Sequence, residues 1–328
     1  MSETQSESKI QELRSWLISA GQDELAARIR LNEPLKMRNT MRVGGAADLF
    51  AEPEGLLEVI MLCDAARACG LPYFVLGNGS NLVVSDEGIE GLVIHIGEAL
   101  SQIRFEEDSD EEGAVLVTAY AGAMLSRVAM MCAKESLAGM EFSAGIPGSI
   151  GGAVFMNAGA YGREMKDVVY RSVSLTASQT MKTYCNDEHQ FGYRTSCYMQ
   201  NDNIILSVTL RLFKGDATDI FARMKEYAEK RSHSQPLSMP SAGSAFKRPY
   251  GHYTGALIEA AGLKGFCVGG AQVSEKHAGF IVNTGSATAR DVYELVEEVQ
   301  RRVFRDSGVL LEPEIRFIGR GYETGGIQ

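Results

Sequence analysis

Two glycine-rich segments are the parts of this sequence best suited to hold a phosphorylated ligand. The first, residues 77–81 (GNGSN), follows an apolar stretch, and its main-chain N–H groups, with a serine and an asparagine, can form an anion-binding nest. The second, residues 143–153, has four glycines in eight positions, which lets the backbone approach a ligand closely. A helix that begins near Gly148 would direct its N–H groups toward a phosphate.

Neither segment matches a standard nucleotide-binding motif. The first begins like a dinucleotide fingerprint, but Leu82 stands where the third glycine is required, and Val83-Val84 favours a strand over a helix. The second lacks the Gly-Lys-Ser/Thr element of a P-loop. Taken separately, the first can be a plain turn and the second a close contact between a helix and a strand. Together they favour a cofactor that carries a diphosphate.

The composition narrows the classes of partner. The 328 residues include 32 Lys+Arg and 42 Asp+Glu, a formal charge of −10, which argues against nucleic acid and anionic membrane surfaces but leaves room for a local cationic pocket. There are 35 glycines and only 8 prolines, a balance that indicates many demanding loops rather than a disordered chain. Residues 1–9 are polar, without the apolar core of a signal peptide. Arg127 interrupts the most apolar stretch, residues 114–133, which predicts a strand and a buried helix and no membrane insertion.

The cysteines and acidic residues predict no metal site. The six cysteines are dispersed, without a C-x-x-C pair or zinc-type spacing, so we expect reduced thiols in a cytoplasmic protein. The acidic run at residues 106–112 partly resembles a calcium loop, but Ala119 occupies the position that requires a bidentate glutamate. We therefore exclude calcium.

Hydrophobic periodicity predicts the elements that must position the two segments. The predicted helices are residues 9–30, 54–69, 124–135, 219–231 and 288–305. The predicted strands are residues 73–76, 82–84, 92–96, 115–119, 204–213 and 309–318. Strands and helices mix without regular βαβ alternation, which indicates an α+β fold rather than a doubly wound sheet.

Five short motifs follow one another in a set order along the chain. They are GNGSN at 77–81, AGIPGSIGG at 144–152, FGYRTS at 191–196, SAGSAFKRP at 241–249 and GGAQVS at 269–274. Through this ordered set the chain resembles the UDP-N-acetylenolpyruvoylglucosamine reductase family over residues 38–318. It resembles the shorter subclass of that family, because no tyrosine-bearing insertion follows Tyr198.

The resemblance implies a domain organisation. Residues 1–41 would form an N-terminal helical extension. Residues 42–213 would form an FAD-binding unit of the vanillyl-alcohol-oxidase/PCMH type, in two lobes at about 42–97 and 98–213. An α+β substrate-binding domain at 214–318 and a flexible tail at 319–328 would complete the chain.

The resemblance also implies a reaction. Members of the family reduce UDP-N-acetylglucosamine enolpyruvate to UDP-N-acetylmuramate for peptidoglycan precursor synthesis; NADPH reduces FAD, and the reduced flavin delivers hydride to the alkene carbon β to the carboxylate. We therefore expect FAD and NADPH as cofactors, the enolpyruvyl nucleotide as substrate, and a monomer or weak homo-oligomer. The implied FAD contacts are Gly77, Asn78, Gly79, Ser80, Asn81, Gly145, Ile146, Pro147, Gly148, Ser149, Gly151, Gly152, Asn157 and Gly159.

Three catalytic residues follow from the resemblance. Ser244 would donate the proton, Arg194 would bind the substrate carboxylate through its guanidinium fork, and Glu314 would donate to that carboxylate if burial raises its pKa. From the residues alone, a turn serine and a surface arginine are the ordinary interpretations of Ser244 and Arg194. Strand periodicity puts Glu312 and Glu314 on one face, so only the resemblance, through the place of Glu314 in the segment EIRFI at 314–318, favours Glu314.

A group of basic residues lies near Ser244 in an otherwise acidic protein. The predicted substrate contacts are Tyr193, Arg231, Lys247, Arg248, Lys276 and His277, and the UDP diphosphate is the target of the cations; Lys230 and His233 belong to the same group. A solvated surface is the alternative interpretation. Tyr250 and Tyr253 can stack on uracil or serve only in packing. A related flavoprotein oxidase and a non-catalytic nucleotide-binding protein remain as alternative functions.

Overall fold

The computed structural model describes residues 3–322, with side chains from residue 8 onward. The helices are α1 Glu3–Ser19, α2 Asp23–Arg28, α3 Leu56–Ala68, α4 Leu125–Lys134, α5 Ile150–Phe155, α6 Ala217–Ser234, α7 Thr254–Ala260 and α8 Ala289–Ser307. Across residues 3–322, none of the helices combines the length and apolar character needed to span a bilayer.

The strands build three larger sheets and two small ones. They are β1 Arg30–Pro34, β2 Ala46–Ala51, β3 Tyr73–Leu76, β4 Leu82–Val84, β5 Ile89–His95, β6 Ile103–Glu107, β7 Ala114–Tyr120, β8 Leu137–Ala138, β9 Gly159–Ala160, β10 Arg163–Glu164, β11 Val169–Leu175, β12 Met181–Cys185, β13 Ile204–Lys214, β14 Ser241–Ser244, β15 Cys267–Val268, β16 Ala271–Val273, β17 Phe280–Asn283 and β18 Arg316–Ile318. The mixture of helices and strands confirms the predicted α+β class.

The first lobe is a four-stranded sheet in the order β1-β2-β5-β3, with α3 packed on it. β2, β5 and β3 run parallel, whereas β1 is antiparallel to β2. Leu92, Val93 and Ile94 in β5 are completely buried. Such a continuous apolar run is typical of a parallel strand covered on both faces.

The N-terminal segment differs from the predicted single helix over residues 9–30. Gly21 adopts the left-handed conformation (φ +73°) and ends α1, with its N–H bonded to Ile18 and that of Gln22 bonded to Leu17. This is a Schellman arrangement, which satisfies the last carbonyls of a helix. After α2 the chain forms β1 at the edge of the first sheet. The predicted N-terminal extension is therefore an integral part of the first lobe.

The second lobe is an antiparallel sheet in the order β12-β11-β13-β7-β6, with β8 paired to the end of β13. α4, α5 and α6 pack against it. α6 buries Ile220 and Met224 in the core of this lobe, and Arg223 pairs with Glu141 at 3.1 Å. α6, which lies at the start of the predicted substrate domain at 214–318, therefore packs its apolar face on the second lobe.

The C-terminal domain is a sheet in the order β14-β17-β16-β15, with α7 and α8 packed beside it. The predicted apolar face of α8 is confirmed as core: Val292, Leu295, Val296, Val299 and Val303 are all buried. A capping box between Thr288 and Asp291 begins α8, and Gly308 ends it in the left-handed conformation.

The predicted strand at residues 309–318 forms only at its end, as β18. Pro313 lacks an N–H group, and its single bridge is to Phe246, so no ladder continues through this position. β18 pairs in parallel with β4, placing Arg316 opposite Leu82. The C-terminal segment is thus joined to the first lobe directly after the first glycine segment.

The predicted flexible tail begins too early. Arg320 pairs with Asp48 of the first lobe at 2.7 Å, and the Tyr322 ring lies 5.3 Å from that of Phe317. An ion pair and an aromatic contact therefore hold residues 319–322. Residues 323–328 of the predicted tail lie outside the described residues.

Asp86 of the first lobe caps a helix of the C-terminal domain. Its two carboxylate oxygens accept from the N–H groups of Ala289 at 2.9 Å and Arg290 at 3.0 Å, at the start of α8. A carboxylate is favourable at this end of a helix because the first N–H groups have no partner within the helix.

We expect Asp86→Ala to lower the free energy of unfolding by about 1 kcal/mol, since it removes this cap and one link between the two units. Urea unfolding of the full chain measures the change. Glu87→Ala is the matched control, because the neighbouring side chain is exposed and forms no such cap. Equal losses in the two variants would contradict a capping role for Asp86.

Candidate active site

The two glycine segments face each other across a cavity of about 310 Å³. A Cβ atom on Gly77 would lie 2.6 Å from Ser149 Oγ, and one on Gly148 would lie 3.4 Å from Ser80 Oγ. The first of these separations is shorter than real Cβ contacts, so a side chain at residue 77 would force Ser149 Oγ to move. The two segments, from different lobes, can therefore approach this closely only because glycine stands at the contact.

Local structure determines the form of each segment. After β3 the first segment turns at Gly79 (φ +60°), where a Cβ atom would lie 2.4 Å from the carbonyl oxygen of Arg38. In the second, Ser149 caps α5, with its Oγ accepting from the N–H of Gly152 at 3.4 Å. The helix start expected near Gly148 is confirmed.

Most of the predicted FAD contacts line this cavity. Those that do are Gly77, Asn78, Gly79, Ser80, Asn81, Ile146, Pro147, Gly148, Ser149, Gly151, Gly152 and Gly159. Asn157 is instead completely buried, with its amide donating to the carbonyl of Gly192 at 2.9 Å. Gly145 packs on the side chain of Arg231. Neither residue lines the cavity: Asn157 is enclosed by protein groups, whereas Gly145 is exposed on the outer side of its segment.

A second cavity of about 410 Å³ adjoins the first. Arg194, Ser244 and Glu314 line both cavities. Arg194 and Glu314 are 120 positions apart in the sequence, and the three residues belong to two units of the fold. Arg194 lies in the second lobe, whereas Ser244 and Glu314 lie in the C-terminal domain. The fold therefore brings the three predicted catalytic residues together at the junction of the cavities.

Arg194 and Glu314 form a largely buried ion pair. Arg194 Nε lies 2.6 Å from Glu314 Oε1, and the two side chains are only 20% and 12% exposed. Arg194 Nη2 also donates to the carbonyl of Gly159 at 3.3 Å, and the guanidinium lies over the Tyr193 ring. The backbone of Arg194 is in the left-handed region (φ +58°), which is strained for a residue with a side chain and is concentrated at functional sites.

Burial raises the pKa of Glu314 above its ordinary value, although the Arg194 guanidinium acts in the opposite direction. The neutral acid is therefore more accessible at this position than on a surface. Glu312, by contrast, is 68% exposed and pairs with Lys247 outside both cavities. The structure thus distinguishes two glutamates that strand periodicity left equivalent.

Ser244 ends β14 and follows Gly243, which has a φ of +81°. The next residue, Ala245, accepts from the Glu314 N–H at 2.9 Å and donates to the carbonyl of Gly279 at 2.8 Å. These main-chain bonds bring the segment that carries Ser244 against the segment that carries Glu314.

The predicted substrate contacts divide into three groups. Tyr193, Arg248, Lys276 and His277 line the second cavity, Arg231 lines the first, and Lys247 lines neither. Lys247 is turned away because its ammonium pairs with the exposed Glu312. Burial lowers the pKa of His277, whose Nδ1 accepts from the Gly279 N–H at 3.1 Å.

The remaining members of the basic and aromatic group behave differently. Lys230 pairs with Glu226 on the exposed side of α6, and His233 is also exposed, as expected for a solvated surface. Tyr250 is fully exposed and outside both cavities. Tyr253 lines the second cavity, where the Arg248 guanidinium lies 4.0 Å from its ring centroid.

Sequence analysis did not predict Gln235 and Arg316, which also line the first cavity. Gln235 is one helical turn beyond Arg231, and Arg316 is two residues beyond Glu314, so spacing from a predicted site residue was the available signal. Arg231 Nε and Gln235 Oε1 are buried, and neither has a hydrogen-bond partner among the described residues. Burial also lowers the pKa of Arg316.

These features fit a large cofactor with a diphosphate. The glycine segments leave space where Cβ atoms would stand, and the unsatisfied atoms of Arg231 and Gln235 offer a donor and an acceptor to a ligand. Among the residues described, no group of three or more His, Cys, Asp or Glu side chains is arranged to hold a metal ion.

Two known protein families match this chain, one over the two lobes and one over the C-terminal domain. Residues 47–181 match an FAD binding domain, and residues 235–318 match the UDP-N-acetylenolpyruvoylglucosamine reductase C-terminal domain. The second match begins directly after α6, in agreement with the packing of that helix on the second lobe.

Individual relatives cover nearly the whole chain. The chain is 48% identical to the UDP-N-acetylenolpyruvoylglucosamine reductase of Agathobacter rectalis, over 88% of this chain and 93% of that protein. It is also 48% identical to the corresponding reductase of Latilactobacillus sakei, over 90% and 95% of the two chains. The crystal structure of the reductase from Thermus caldophilus superposes with a TM-score of 0.73 at 37% identity, over 88% of this chain and 97% of that one. The chain therefore belongs to the UDP-N-acetylenolpyruvoylglucosamine reductase family, and it is an FAD-binding oxidoreductase.

Proposed function

We propose that this protein reduces UDP-N-acetylglucosamine enolpyruvate to UDP-N-acetylmuramate with NADPH, through FAD, in the synthesis of peptidoglycan precursors. The observation that carries the proposal is the position of Arg194, Ser244 and Glu314, which line both cavities at their junction. A substrate in the second cavity would there meet a cofactor in the first.

The first cavity is the proposed FAD site. The two glycine segments would hold the diphosphate through main-chain N–H groups, with Arg231 and Gln235 supplying polar side-chain contacts. FAD bound there would supply hydride transfer, first from NADPH and then to the alkene. The protein contributes binding, orientation and the handling of charge and protons.

Arg194 and Glu314 are the proposed carboxylate-binding pair. The guanidinium is already held at Glu314 and at the carbonyl of Gly159, so its remaining N–H groups can meet a substrate carboxylate without reorganisation. Glu314, with its pKa raised by burial, can be protonated and then donates to that carboxylate. Both residues would stabilise the negative charge that develops as the alkene is reduced.

Ser244 is the proposed proton donor to the α-carbon. Reduction at the β-carbon leaves enolate character at the α-carbon, a base strong enough to accept a proton from a hydroxyl group. The product then carries one added hydride and one added proton.

The second cavity is the proposed site of the UDP group. Arg248, Lys276 and His277 line it, and Tyr253 provides an aromatic face stacked on Arg248. Lys264 also lines this cavity, but its ammonium pairs at 3.1 Å with Glu259, which lines the cavity too. Arg248 and Lys276 are therefore the cations that support binding of a diphosphate despite the net charge of −10.

A cytoplasmic location is part of the proposal. All six cysteines, which lie within the described residues, are free thiols, as is usual in a reducing compartment. The short connection of five residues between Tyr198 and β13 supports the shorter subclass. The oligomeric state remains a prediction of a monomer or weak homo-oligomer.

The proposal is tested by NADPH oxidation with and without UDP-N-acetylglucosamine enolpyruvate. We expect sustained turnover only with this substrate, and UDP-N-acetylmuramate as the product by mass spectrometry. Turnover that does not depend on the substrate would favour a related oxidase, and a colourless protein that never takes up FAD would favour a non-catalytic nucleotide-binding role.

Ser244→Ala separates the two half-reactions. We expect stoichiometric flavin reduction by NADPH to persist, while reoxidation by the enolpyruvyl substrate slows by about 10²–10⁴-fold, because the proton donor is lost. Stopped-flow absorbance of the flavin measures both steps. Equal damage to the two steps would remove Ser244 from the proton-donor role.

Glu314→Gln and Glu312→Gln form a matched pair. We expect only Glu314→Gln to slow the second half-reaction, by at least about 10²-fold, because only Glu314 lines the cavities and can act as an acid there. The same stopped-flow measurement compares the variants. A larger effect at the exposed Glu312 would reverse the assignment.

A further inference from the structure

Three units of the fold contact Glu314. Its N–H donates to the carbonyl of Ala245 in the C-terminal domain at 2.9 Å, and its carboxylate pairs with Arg194 of the second lobe at 2.6 Å. Its main-chain carbonyl accepts from Asn81 Nδ2 of the first lobe at 2.9 Å. The position of this carboxylate is therefore determined jointly by all three units.

Asn81 makes two bonds to the C-terminal segment. Besides its amide bond to Glu314, its own carbonyl accepts from the Arg316 N–H at 2.9 Å. The second bond continues the pairing of β4 with β18, and any residue can provide it. The first requires a side chain of this length with an N–H donor, so it is particular to asparagine.

The segment just before β18 has few other links to the first lobe. Glu312 accepts from Lys247, and Leu311 accepts from Gln300, so these main-chain groups are held by the C-terminal domain. Pro313 has no N–H to offer. The Asn81 amide therefore supplies the hydrogen bond that fixes the position of the Glu314 peptide relative to the first glycine segment.

We propose that Asn81 is a positioning residue for Glu314: its side-chain amide sets the Glu314–Arg194 pair relative to the glycine segment of the first cavity. The inference rests on the proposed function, since it concerns the proposed carboxylate-binding pair. Removal of the amide leaves the partly buried Glu314 carbonyl unpaired and frees the peptide to shift. A shift of the order of 1 Å at such a site is enough to reduce the rate about 10²-fold.

Asn81→Ala in the FAD-loaded protein tests the proposal kinetically. Per bound flavin, we expect reoxidation by the enolpyruvyl substrate to slow by about 10–10²-fold, and to slow more than flavin reduction by NADPH, because the Glu314–Arg194 pair is proposed to act only on the substrate carboxylate. Asn81→Asp retains the shape without the donor and should show the same division between steps. Gln102→Ala is the control, because that amide also donates to a main-chain carbonyl, of Ala99 at 2.8 Å, but lies outside both cavities.

Binding supplies a readout independent of turnover. UDP-N-acetylmuramate has the carboxylate that Arg194 and Glu314 would meet, whereas UDP-N-acetylglucosamine lacks it. By calorimetry we expect Asn81→Ala to weaken binding of the first about tenfold and to leave binding of the second unchanged. A loss of affinity that is confined to the carboxylate-bearing nucleotide supports the role of Asn81 in positioning the Glu314–Arg194 pair.

Several results would overturn the inference. They are equal slowing of both half-reactions per bound flavin, equal weakening of the two nucleotides, or wild-type behaviour throughout. If the wild-type protein itself fails to reduce the enolpyruvyl substrate, the proposed function is wrong. If the wild type turns over normally and the variants show no division between steps, only the positioning role is wrong.

Discussion

The parallel pairing of β18 with β4 is the constraint on which the site depends. Three residues near the end of the chain add to a short strand that directly follows the first glycine segment. Because Glu314 lies two residues before the start of β18, this pairing brings an acid from the C-terminal domain to the edge of the cavity. Two further interactions strengthen the same junction: the Asp86 carboxylate caps α8, and Arg320 forms an ion pair with Asp48.

The electrostatics of the site follow from this junction. Burial raises the pKa of Glu314 and the adjacent Arg194 lowers it, and the effect of burial is the larger. Arg194 is held in a strained backbone conformation, and Asn157 bonds to the nearby carbonyl of Gly192. A residue first assigned to the cofactor therefore supports the loop that presents the arginine.

Sequence patterns predicted the elements whose signals are local. The apolar face of α8, the strands β3 and β4, and the helix start at Ser149 follow from periodicity, β-branched runs and glycine placement, and all are observed. The wrong predictions arose where tertiary contacts or one special residue decided the outcome. Gly21 split the first helix, and Pro313 limited the last strand to three residues.

By itself, the sequence determined that two glycine segments can approach a ligand closely, that ordered motifs carry a serine and an arginine, and that two candidate glutamates lie near the end of the chain. Only the tertiary structure decided which glutamate lines the cavities, since both precede β18 and Glu314 is buried against Arg194 while Glu312 is exposed. In the folded protein Lys247 points away from the cavities, toward Glu312. Arg231 Nε and Gln235 Oε1 lie buried at the cavity without a hydrogen-bond partner. The physical reason is that burial and partners come from contacts between distant segments, which no local pattern records.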